Sequence, residues 1–432
     1  MSLRAGAARV DITPPPGHPM PGFPPLRNLP GGPSEISGYV PREGVATGVH
    51  DPLFARALVL DDGRTAVALV ALDLIAVTAE FTAAVREAVR EATGIPPAHV
   101  LLTASHTHSG PDLFSWGDGR ASELEAAVRA GVVEAVTRAH AALRPARVGW
   151  ASVDRPGLVI NRRDPEGPID PRVGVMAVEG ADGALIALAV NYAIHTCMLS
   201  GLNLLYSGDI SGLAMNALER IYPDAVALFL NGAAGNINPV AYPWGPKENV
   251  IPAFRAAWHA GREHPRTFRG AARLGHLLAA AAVEAYEQIP TPSFSDEVDL
   301  DGRVEPVDLP LRSPEERERF FAFTGLSARY GGDRLRGESQ PSEVQALRIG
   351  PRRYVALPGE PFVELGLELR RRLGADQTFV VGYSNDDIRY VMPRAAALDT
   401  RYDAWATMLA PGSGERLVEA ALVAAEAVGA AA

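Results

Sequence analysis

The sequence contains a single lysine, Lys247, so arginine carries almost all of its positive charge. A Schiff-base mechanism needs a reactive lysine amine, and a G-x-x-x-x-G-K-[ST] phosphate loop needs a lysine at a fixed place. No such loop occurs in the chain. The sequence therefore largely excludes Schiff-base chemistry and excludes a phosphate loop of this type.

Cysteine and long apolar segments are also scarce. Cys197 is the only cysteine, so an internal disulfide is excluded, which fits a reducing compartment. The first residues, MSLRAGAARVDITPPPG, lack the apolar core of roughly 7–15 residues that a secretory signal carries. No uninterrupted apolar run reaches about 18 residues. We expect a cytoplasmic protein without stable membrane insertion.

Net positive charge is lacking as well, because the 432 residues carry a formal net charge of −10. Nucleic acids and anionic membranes are bound through positive patches that neutralise phosphates. The basic run ELRRRLG at 368–374 is better explained as a helix surface. A nucleic-acid partner is therefore not expected.

Common catalytic signatures are missing too. The sequence has no G-x-S-x-G elbow, no H-E-x-x-H, no C-x-x-C and no G-x-G-x-x-G after a strand. A metal site assembled from dispersed residues survives this elimination best.

Apolar strand-like runs alternate with helical Ala/Glu/Arg-rich segments, the pattern of an α/β protein. Residues 54–75 predict two strands around an Asp-Asp-Gly turn, and residues 79–94 predict a helix closed by Gly94. A second hairpin is predicted around Asp182-Gly183. We expect mixed β-sheets flanked by helices in a single domain over residues 1–432.

The later part of the chain gives weaker signals. A Pro/Ser-rich stretch marks a candidate internal boundary near 290–300. The Pro- and Gly-rich segments predict surface loops that often form substrate walls, at 13–34 and 238–266. The remaining regular elements are predicted to be a strand at 343–357, a helix at 361–373, a strand at 378–383 and a closing helix, ERLVEAALVAAEAV.

Two histidines stand out in LLTASHTHSGPD, residues 101–112. Side chains two apart in a strand point to the same face, so His106 and His108 are predicted to project together from the carboxyl end of a strand. Open α/β sheets often place ligand crevices there. One histidine can bind a metal with the other in proton-transfer reach, although exposed histidines ending a strand fit this short pattern equally well.

Other candidates follow further apolar strands. His195 ends the strand in ALAVNYAIHTCML, where a hydrogen-bonded core histidine is the commoner case. Glu360 precedes a helix predicted to begin at Pro361, where a capping carboxylate is the alternative. The segments FLNGAAGNINP and FVVGYSNDDIRYVMP combine flexible backbone with polar side chains, although glycine and asparagine also form ordinary turns.

Taken in order, these segments resemble the neutral/alkaline non-lysosomal ceramidase family, in its zinc-dependent catalytic domain. The matching stretches span residues 5 to about 391 and are AGAARVDITPP, GVHDPLFARALVL, SHTHSGPD, INRRDP, NYAIHTCML, SGDISGLAMNALE, NGAAGNINP, LPGEPFVELG and GYSNDDIRYV. The resemblance implies a metal site at strand carboxyl ends and hydrolysis of an amide bond in a small or acylated substrate by metal-activated water.

The resemblance also implies roles for individual residues, since the family binds zinc through two histidines, a glutamate and a tyrosine. The implied zinc ligands are His106, His195, Glu360 and Tyr390, with Tyr383 and Asp387 as alternatives for the fourth position. His108 resembles the family's catalytic histidine, and Arg162 resembles its substrate-orienting arginine. The candidate substrate-binding residues are Asn236, Asn238 and Asp209.

Three departures from the family pattern bear on function. Ceramidases carry a serine at the position of Asn238 and often a tyrosine at the position of Asp387. They also continue into an immunoglobulin-like domain, so we expect a stand-alone catalytic domain here. An esterase or lactonase on the same scaffold, and a non-catalytic metal- or ligand-binding protein, are the alternative functions.

Overall fold

Two β-sheets packed face to face form the centre of the fold. The structure is a computed structural model, and it describes residues 2–22, 42–113, 120–240, 267–324, 337–399 and 401–429. The strands are β1 (Arg4–Asp11), β2 (Gly48–Val49), β3 (Phe54–Asp61), β4 (Ala66–Leu72), β5 (Val100–Ala104), β6 (Arg144–Asp154), β7 (Val159–Asn161), β8 (Arg172–Gly180), β9 (Leu185–Tyr192), β10 (Leu205–Tyr206), β11 (Val226–Asn231), β12 (Ile237–Pro239), β13 (Leu300–Pro310), β14 (Ser339–Ile349), β15 (Arg352–Ala356), β16 (Glu360–Pro361), β17 (Thr378–Val381) and β18 (Tyr390–Val391). The helices are α1 (Ala79–Thr93), α2 (Arg120–Ala141), α3 (Asp209–Ile221), α4 (Phe268–Glu287), α5 (Pro314–Thr324), α6 (Val363–Leu373), α7 (Arg394–Ala397), α8 (Tyr402–Trp405) and α9 (Ser413–Ala427).

The larger sheet has eight strands in the order β11-β9-β8-β6-β1-β3-β4-β5. Its two outermost pairs, β11 with β9 and β4 with β5, are parallel, and the pairs between them are antiparallel. Both predicted hairpins are confirmed, because β3 pairs with β4 and β8 with β9 across the turns at 61–63 and 182–183. At each edge, two parallel strands bring their carboxyl ends to the same side of the sheet.

Alternating side chains of the larger sheet belong to different layers. In β4, Val67 and Leu69 pack towards the second sheet, whereas Ala68 and Val70 pack towards a cluster that includes residues of α1, α2, α3 and α4. Both faces of the sheet are therefore covered, which explains why its strands are continuous apolar runs. The expected mixed sheets with flanking helices are confirmed.

The smaller sheet has four strands in the order β13-β14-β15-β17, and α6 and α9 cover its outer face. The single strand predicted at 343–357 is wrong. The chain turns at Gly350, where φ is +55°, and returns as β15 antiparallel to β14. The Gly350-Pro351 dipeptide, a turn signal, lies between the two apolar runs.

Helix boundaries agree with the local signals in one case and differ in another. The side chain of Thr78 caps α1. Gly94 ends the helix with φ +78°, as predicted. Helix α6 begins at Val363 and not at Pro361, because Glu360 and Pro361 form β16, which pairs in parallel with β18. A long-range strand contact thus takes the place of the predicted first helical turn.

Other expectations concern loops and the internal boundary. Residues 23–41 and 241–266, which include most of the two predicted substrate-wall loops, lie outside the described residues. Strand β13 of the smaller sheet begins at Leu300, and the boundary near 290–300 stays a prediction. Within the described ranges, no helix combines the length and the apolarity needed to cross a membrane.

Candidate metal centre

His106 and His108 meet beyond the carboxyl end of β5, but not in the way the sequence predicts. The strand ends at Ala104, and His106 adopts φ +64° while its backbone N–H donates to the Leu74 carbonyl. The alternation of a strand therefore does not explain why the two side chains converge. The turn brings the two Nε2 atoms to 3.1 Å from each other.

His195 reaches the same point from the opposite edge of the larger sheet. It lies three residues beyond β9, and its backbone N–H donates to the carbonyl of Ile237, the first residue of β12. Its Nε2 lies 3.1 Å from Nε2 of His106. All three histidines are buried, with relative exposures of 2–8%.

Glu360 lies in β16, which follows β15 of the smaller sheet along the chain and pairs with β18 in a separate two-stranded sheet. Its position in β16 is fixed by pairing with Tyr390 of β18 and by a backbone hydrogen bond to Arg389. The Glu360 Oε2 atom lies 3.3 Å from Nε2 of His106 and 4.0 Å from Nε2 of His195. The structure thus brings three of the predicted ligands together from three separate parts of the chain.

The hydrogen bonds of the imidazoles fix which ring nitrogens face one another. Nδ1 of His106 lies 2.7 Å from the Ile75 carbonyl, Nδ1 of His195 lies 3.3 Å from a carbonyl on the 232–236 loop, and Nδ1 of His108 lies 3.0 Å from the Gly22 carbonyl. A carbonyl oxygen only accepts, so each Nδ1 carries the proton, and each Nε2 of a neutral ring is an acceptor. The lone pairs of the three Nε2 atoms then face one another, and none of these atoms donates a proton to another. This arrangement favours a cation at their centre.

The distances agree with a tetrahedral metal site. Ligands about 2.0–2.1 Å from zinc in a tetrahedron are separated by roughly 3.3–3.4 Å. The His106 pairs with His195 and with Glu360 measure 3.1 and 3.3 Å, and only the 4.0 Å pair is longer. The Glu360 Oε2 atom is buried and has no hydrogen-bond partner among the described residues. His106, His195 and Glu360 therefore fit a metal ion, and His108 lies close enough to belong to the same cluster.

The protonation state of the cluster also suits a metal. Burial, and then the neighbouring His106, lowers the pKa of His195 and of His108 well below the usual range. Both rings are thus neutral at pH 7, the form in which histidine binds a metal. The Nδ1–carbonyl contacts supply the outer hydrogen bonds that orient such ligands.

His108 is held by residues that the sequence does not single out. A Cβ on Gly22, which has φ +95°, would lie 2.3 Å from Nδ1 of His108, so only glycine allows this backbone to cover the ring. The guanidinium of Arg42 donates to the His108 carbonyl at 2.6 Å and to the Pro21 carbonyl at 2.7 Å. The sequence has no recognisable motif for these contacts.

Arg162 lies beside the centre in a second buried cluster. It forms an ion pair with Asp403, donates to the Tyr390 hydroxyl, and packs its guanidinium over the Tyr390 ring at 5.1 Å. Burial opposes its charge, but Asp403 and Tyr390 raise the pKa of Arg162 well above its usual value. Asp403 also binds Arg163 at 3.1 Å. Sequence reasoning missed Asp403, which follows the last matching motif.

The three candidates for a fourth ligand have different surroundings. Tyr390 pairs with Glu360 through the backbone and contacts Arg162. Tyr383 stacks on His106 with ring centroids 4.3 Å apart, and burial followed by Glu360 raises the pKa of its hydroxyl well above the usual range. Asp387 accepts a hydrogen bond from the backbone N–H of Arg389 at 3.0 Å. The fourth ligand stays a prediction.

The candidate substrate-binding residues differ in how far their polar atoms are engaged. Asn236 donates to Glu364 and accepts from the Val363 N–H, both at 2.9 Å, which ties its loop to α6. Asp209 accepts from the Leu199 and Ile210 backbone N–H groups and is fully buried. These contacts favour supporting roles for both residues, and their substrate-binding roles stay predictions.

Asn238 is the exception among these candidates. It is 1% exposed, and neither atom of its side-chain amide has a hydrogen-bond partner among the described residues. It lies on β12, immediately after Ile237, whose carbonyl holds the backbone of His195. An amide with both hydrogen-bonding atoms unused is suited to bind a polar ligand.

Comparisons with known proteins agree with these observations. The family model described as "Neutral/alkaline non-lysosomal ceramidase, N-terminal" matches residues 31–244. The neutral ceramidase of Mycobacterium tuberculosis is 25% identical, over 86% of this chain and 71% of that protein. The neutral ceramidase of Pseudomonas aeruginosa is 24% identical, over 87% of this chain and 67% of that protein.

Solved structures show the same fold. A structure described as "Ceramidase complexed with C2" has a TM-score of 0.75 at 20% identity and covers 99% of this chain and 75% of that chain. The crystal structure of neutral ceramidase from P. aeruginosa has a TM-score of 0.74 at 21% identity and covers 98% of this chain and 73% of that chain. The similarity extends over both sheets. The chain is thus similar in sequence to the neutral/alkaline non-lysosomal ceramidases and shares the fold of their solved structures.

Proposed function

We propose that this protein is a zinc-dependent hydrolase that cleaves an amide bond in a small or N-acylated substrate of the ceramide type. The observation that carries the proposal is the convergence of His106 Nε2, His195 Nε2 and Glu360 Oε2, with no donor to satisfy them among the described residues. Similarity to proteins named as ceramidases supports the amide as the bond that is cleaved.

The donor set suits zinc, which binds neutral imidazole and carboxylate in tetrahedral sites. His106, His195 and Glu360 would hold the ion, and we propose Tyr390 as the fourth ligand. When bound, zinc supplies a Lewis acid and lowers the pKa of a bound water to about 7.

His108 is placed to move the proton that amide hydrolysis requires. Its Nδ1 proton is committed to the Gly22 carbonyl, so Nε2 faces the cluster as a base. It would accept the proton of the attacking water and return it to the nitrogen of the departing amine, because an amine leaves readily only when protonated. A neutral ring is the form that begins this cycle.

Arg162 would orient the substrate. Asp403 and Tyr390 hold its guanidinium in place beside the cluster, so it binds a substrate oxygen with little loss of side-chain freedom. The Asn238 amide is proposed as a second polar contact to the substrate, on the side of β12.

The test combines metal analysis with a substrate panel. The purified protein is expected to contain about one zinc ion per chain, to lose activity on chelation and to regain it with zinc. His106→Ala and His195→Ala should lose both metal and activity, whereas His140→Ala, on α2, should keep both. Matched amide, ester and lactone substrates identify the bond. An active protein that is metal-free and insensitive to chelators would exclude the proposal, and a preference for esters or lactones would keep the metal but change the reaction.

A further inference from the structure

Tyr383 enters the centre on a segment that is fixed by both sheets. The N–H of Gly382 donates to Asn231 at the end of β11, and the Tyr383 carbonyl accepts from Ala104 at the end of β5. The N–H of Tyr383 donates to the Gly359 carbonyl, one residue before Glu360. The side chain therefore has a defined position relative to the ends of β5 and β11 and to Glu360.

The backbone conformation of Tyr383 is unusual for its residue type. Its φ is +53°, in the left-handed region that residues other than glycine, asparagine and aspartate rarely adopt. Such a conformation is strained and persists where surrounding contacts enforce it, often at functional sites. Glycine would avoid this strain, so the presence of an aromatic side chain points to a use for that side chain.

The phenol ring lies directly against the histidines. It stacks on His106 with centroids 4.3 Å apart and planes at 29°, and meets His195 edge-on at 6.5 Å. The charged groups that act most strongly on its hydroxyl are Glu360 and then Arg162. The hydroxyl thus shares its surroundings with both the predicted ligands and the substrate-orienting arginine.

The hydroxyl itself is unsatisfied. Tyr383 is 2% exposed, and its Oη atom has no hydrogen-bond partner among the described residues. The Oε2 atom of Glu360 lacks one too, so the two groups do not satisfy each other. A buried unsatisfied hydroxyl destabilises the folded protein. A phenol is a hydrogen-bond donor at neutral pH, so the missing partner is an acceptor.

We propose that Tyr383 is a further catalytic residue of the hydrolase proposed above, on which this inference rests: its phenol donates a hydrogen bond to the substrate carbonyl oxygen as negative charge develops there. A rigid donor of this kind acts mainly in the transition state, because the oxygen gains charge as the carbonyl is attacked. The stacked ring and the three backbone hydrogen bonds supply the rigidity.

The test compares Tyr383→Phe with Tyr206→Phe in the zinc-loaded and the metal-depleted protein. Tyr206 is a matched control, because its hydroxyl is also buried without a hydrogen-bond partner among the described residues. For Tyr383→Phe we expect kcat on the amide substrate to fall about 10²-fold with little change in KM. Tyr206→Phe should leave kcat unchanged. Neither variant should lower the melting temperature of the metal-depleted protein, since each removes an unsatisfied group.

The zinc content and the stability of the variant distinguish a catalytic hydrogen-bond donor from a metal ligand and from a structural hydroxyl. Tyr383→Phe should retain the zinc content of the wild type; loss of zinc would make Tyr383 a ligand and overturn the proposal. A clear loss of stability in the metal-depleted variant would indicate a structural hydroxyl, and an unchanged kcat would exclude a catalytic one. If the wild type itself lacks zinc or amide hydrolysis, the proposed function has failed and this proposal fails with it.

Discussion

Replacing Glu360 by glutamine should raise the stability of the metal-free protein and reduce the stabilisation that zinc adds. In the metal-free protein the Glu360 side chain is 8% exposed, and its Oε2 atom faces the lone pair of His106 Nε2 at 3.3 Å. An unsatisfied buried group costs about 1–3 kcal/mol, and a charged one costs more. A glutamine amide removes the charge and can donate to Nε2. At pH 8, where imidazole is neutral, metal-free Glu360→Gln should be more stable than the wild type by roughly 1–3 kcal/mol.

The stabilisation that zinc adds should fall. Zinc at about 1,000 times its dissociation constant stabilises the wild type by about 4 kcal/mol. If the loss of the carboxylate weakens binding about 100-fold, the same zinc concentration stabilises the variant by only about 1.4 kcal/mol. The increment from metal should therefore fall by more than half, although the metal-free protein has become more stable.

Thermal unfolding measures both quantities. At about 2.1 cal/mol/K per residue, 432 residues give an unfolding entropy of roughly 0.9 kcal/mol/K. Zinc should then raise the melting temperature of the wild type by about 4–5 °C and that of the variant by about 1–2 °C. Glu364→Gln is the control: it alters a carboxylate that holds Asn236, and it should keep the full zinc increment. A metal-free Glu360→Gln protein that is less stable than the wild type, with an unchanged zinc increment, would refute the reasoning.

Two further variants test whether His108 acts in proton transfer and not as a metal ligand. His108→Ala should keep its zinc while kcat falls about 10²–10⁴-fold, as expected on losing a general acid–base group; loss of the metal on elemental analysis would instead make His108 a ligand. Gly22→Ala places a Cβ 2.3 Å from His108 Nδ1 and should displace the ring, so kcat should fall while zinc content is retained. Gly17→Ala is its control, because it carries a similar backbone strain at φ +107° but has open space around the added Cβ; equal effects of the two alanines on kcat would exclude displacement of His108 as the cause.

Local sequence patterns predict the parts of the fold that local contacts decide. The Asp-Asp-Gly turn and Gly94 act within a few residues of their own positions, and their structures follow the prediction. The start of α6 fails because β18, about 30 residues further along the chain, pairs with Glu360 and Pro361. The turn at Gly350 was missed although the sequence marks it, because Gly350 and Pro351 form a turn dipeptide that two arginines follow.

The candidate site shows the same limit more sharply. His106, His195 and Glu360 could be proposed as partners only through the family resemblance, because about 90 and 250 residues separate them along the chain. Asp403 and Gly22 were missed because their contribution is a contact to Arg162 or His108, and nothing in their neighbouring residues indicates that contact. The convergence of His106 and His108 was predicted from strand alternation, yet the positive φ of His106 produces it.

Strained backbone links the site to the packing of the two sheets. Among the described residues, the non-glycine positions with positive φ are His106, Asp209, Tyr383, Asn385 and Arg389. Four of these five, all except Asp209, lie in the metal centre or hold the backbone next to it. Asn385 exchanges hydrogen bonds with Leu102 of β5, and the Arg389 carbonyl accepts from the Glu360 N–H. Each such residue costs on the order of 1–3 kcal/mol, a cost that surrounding structure has to offset. For Tyr383 and Asn385 the offset comes from hydrogen bonds between segments of different sheets, so the geometry of the metal centre depends on both sheets being packed together. A change that loosens the contact between the sheets should therefore weaken metal binding even when it lies far from the histidines.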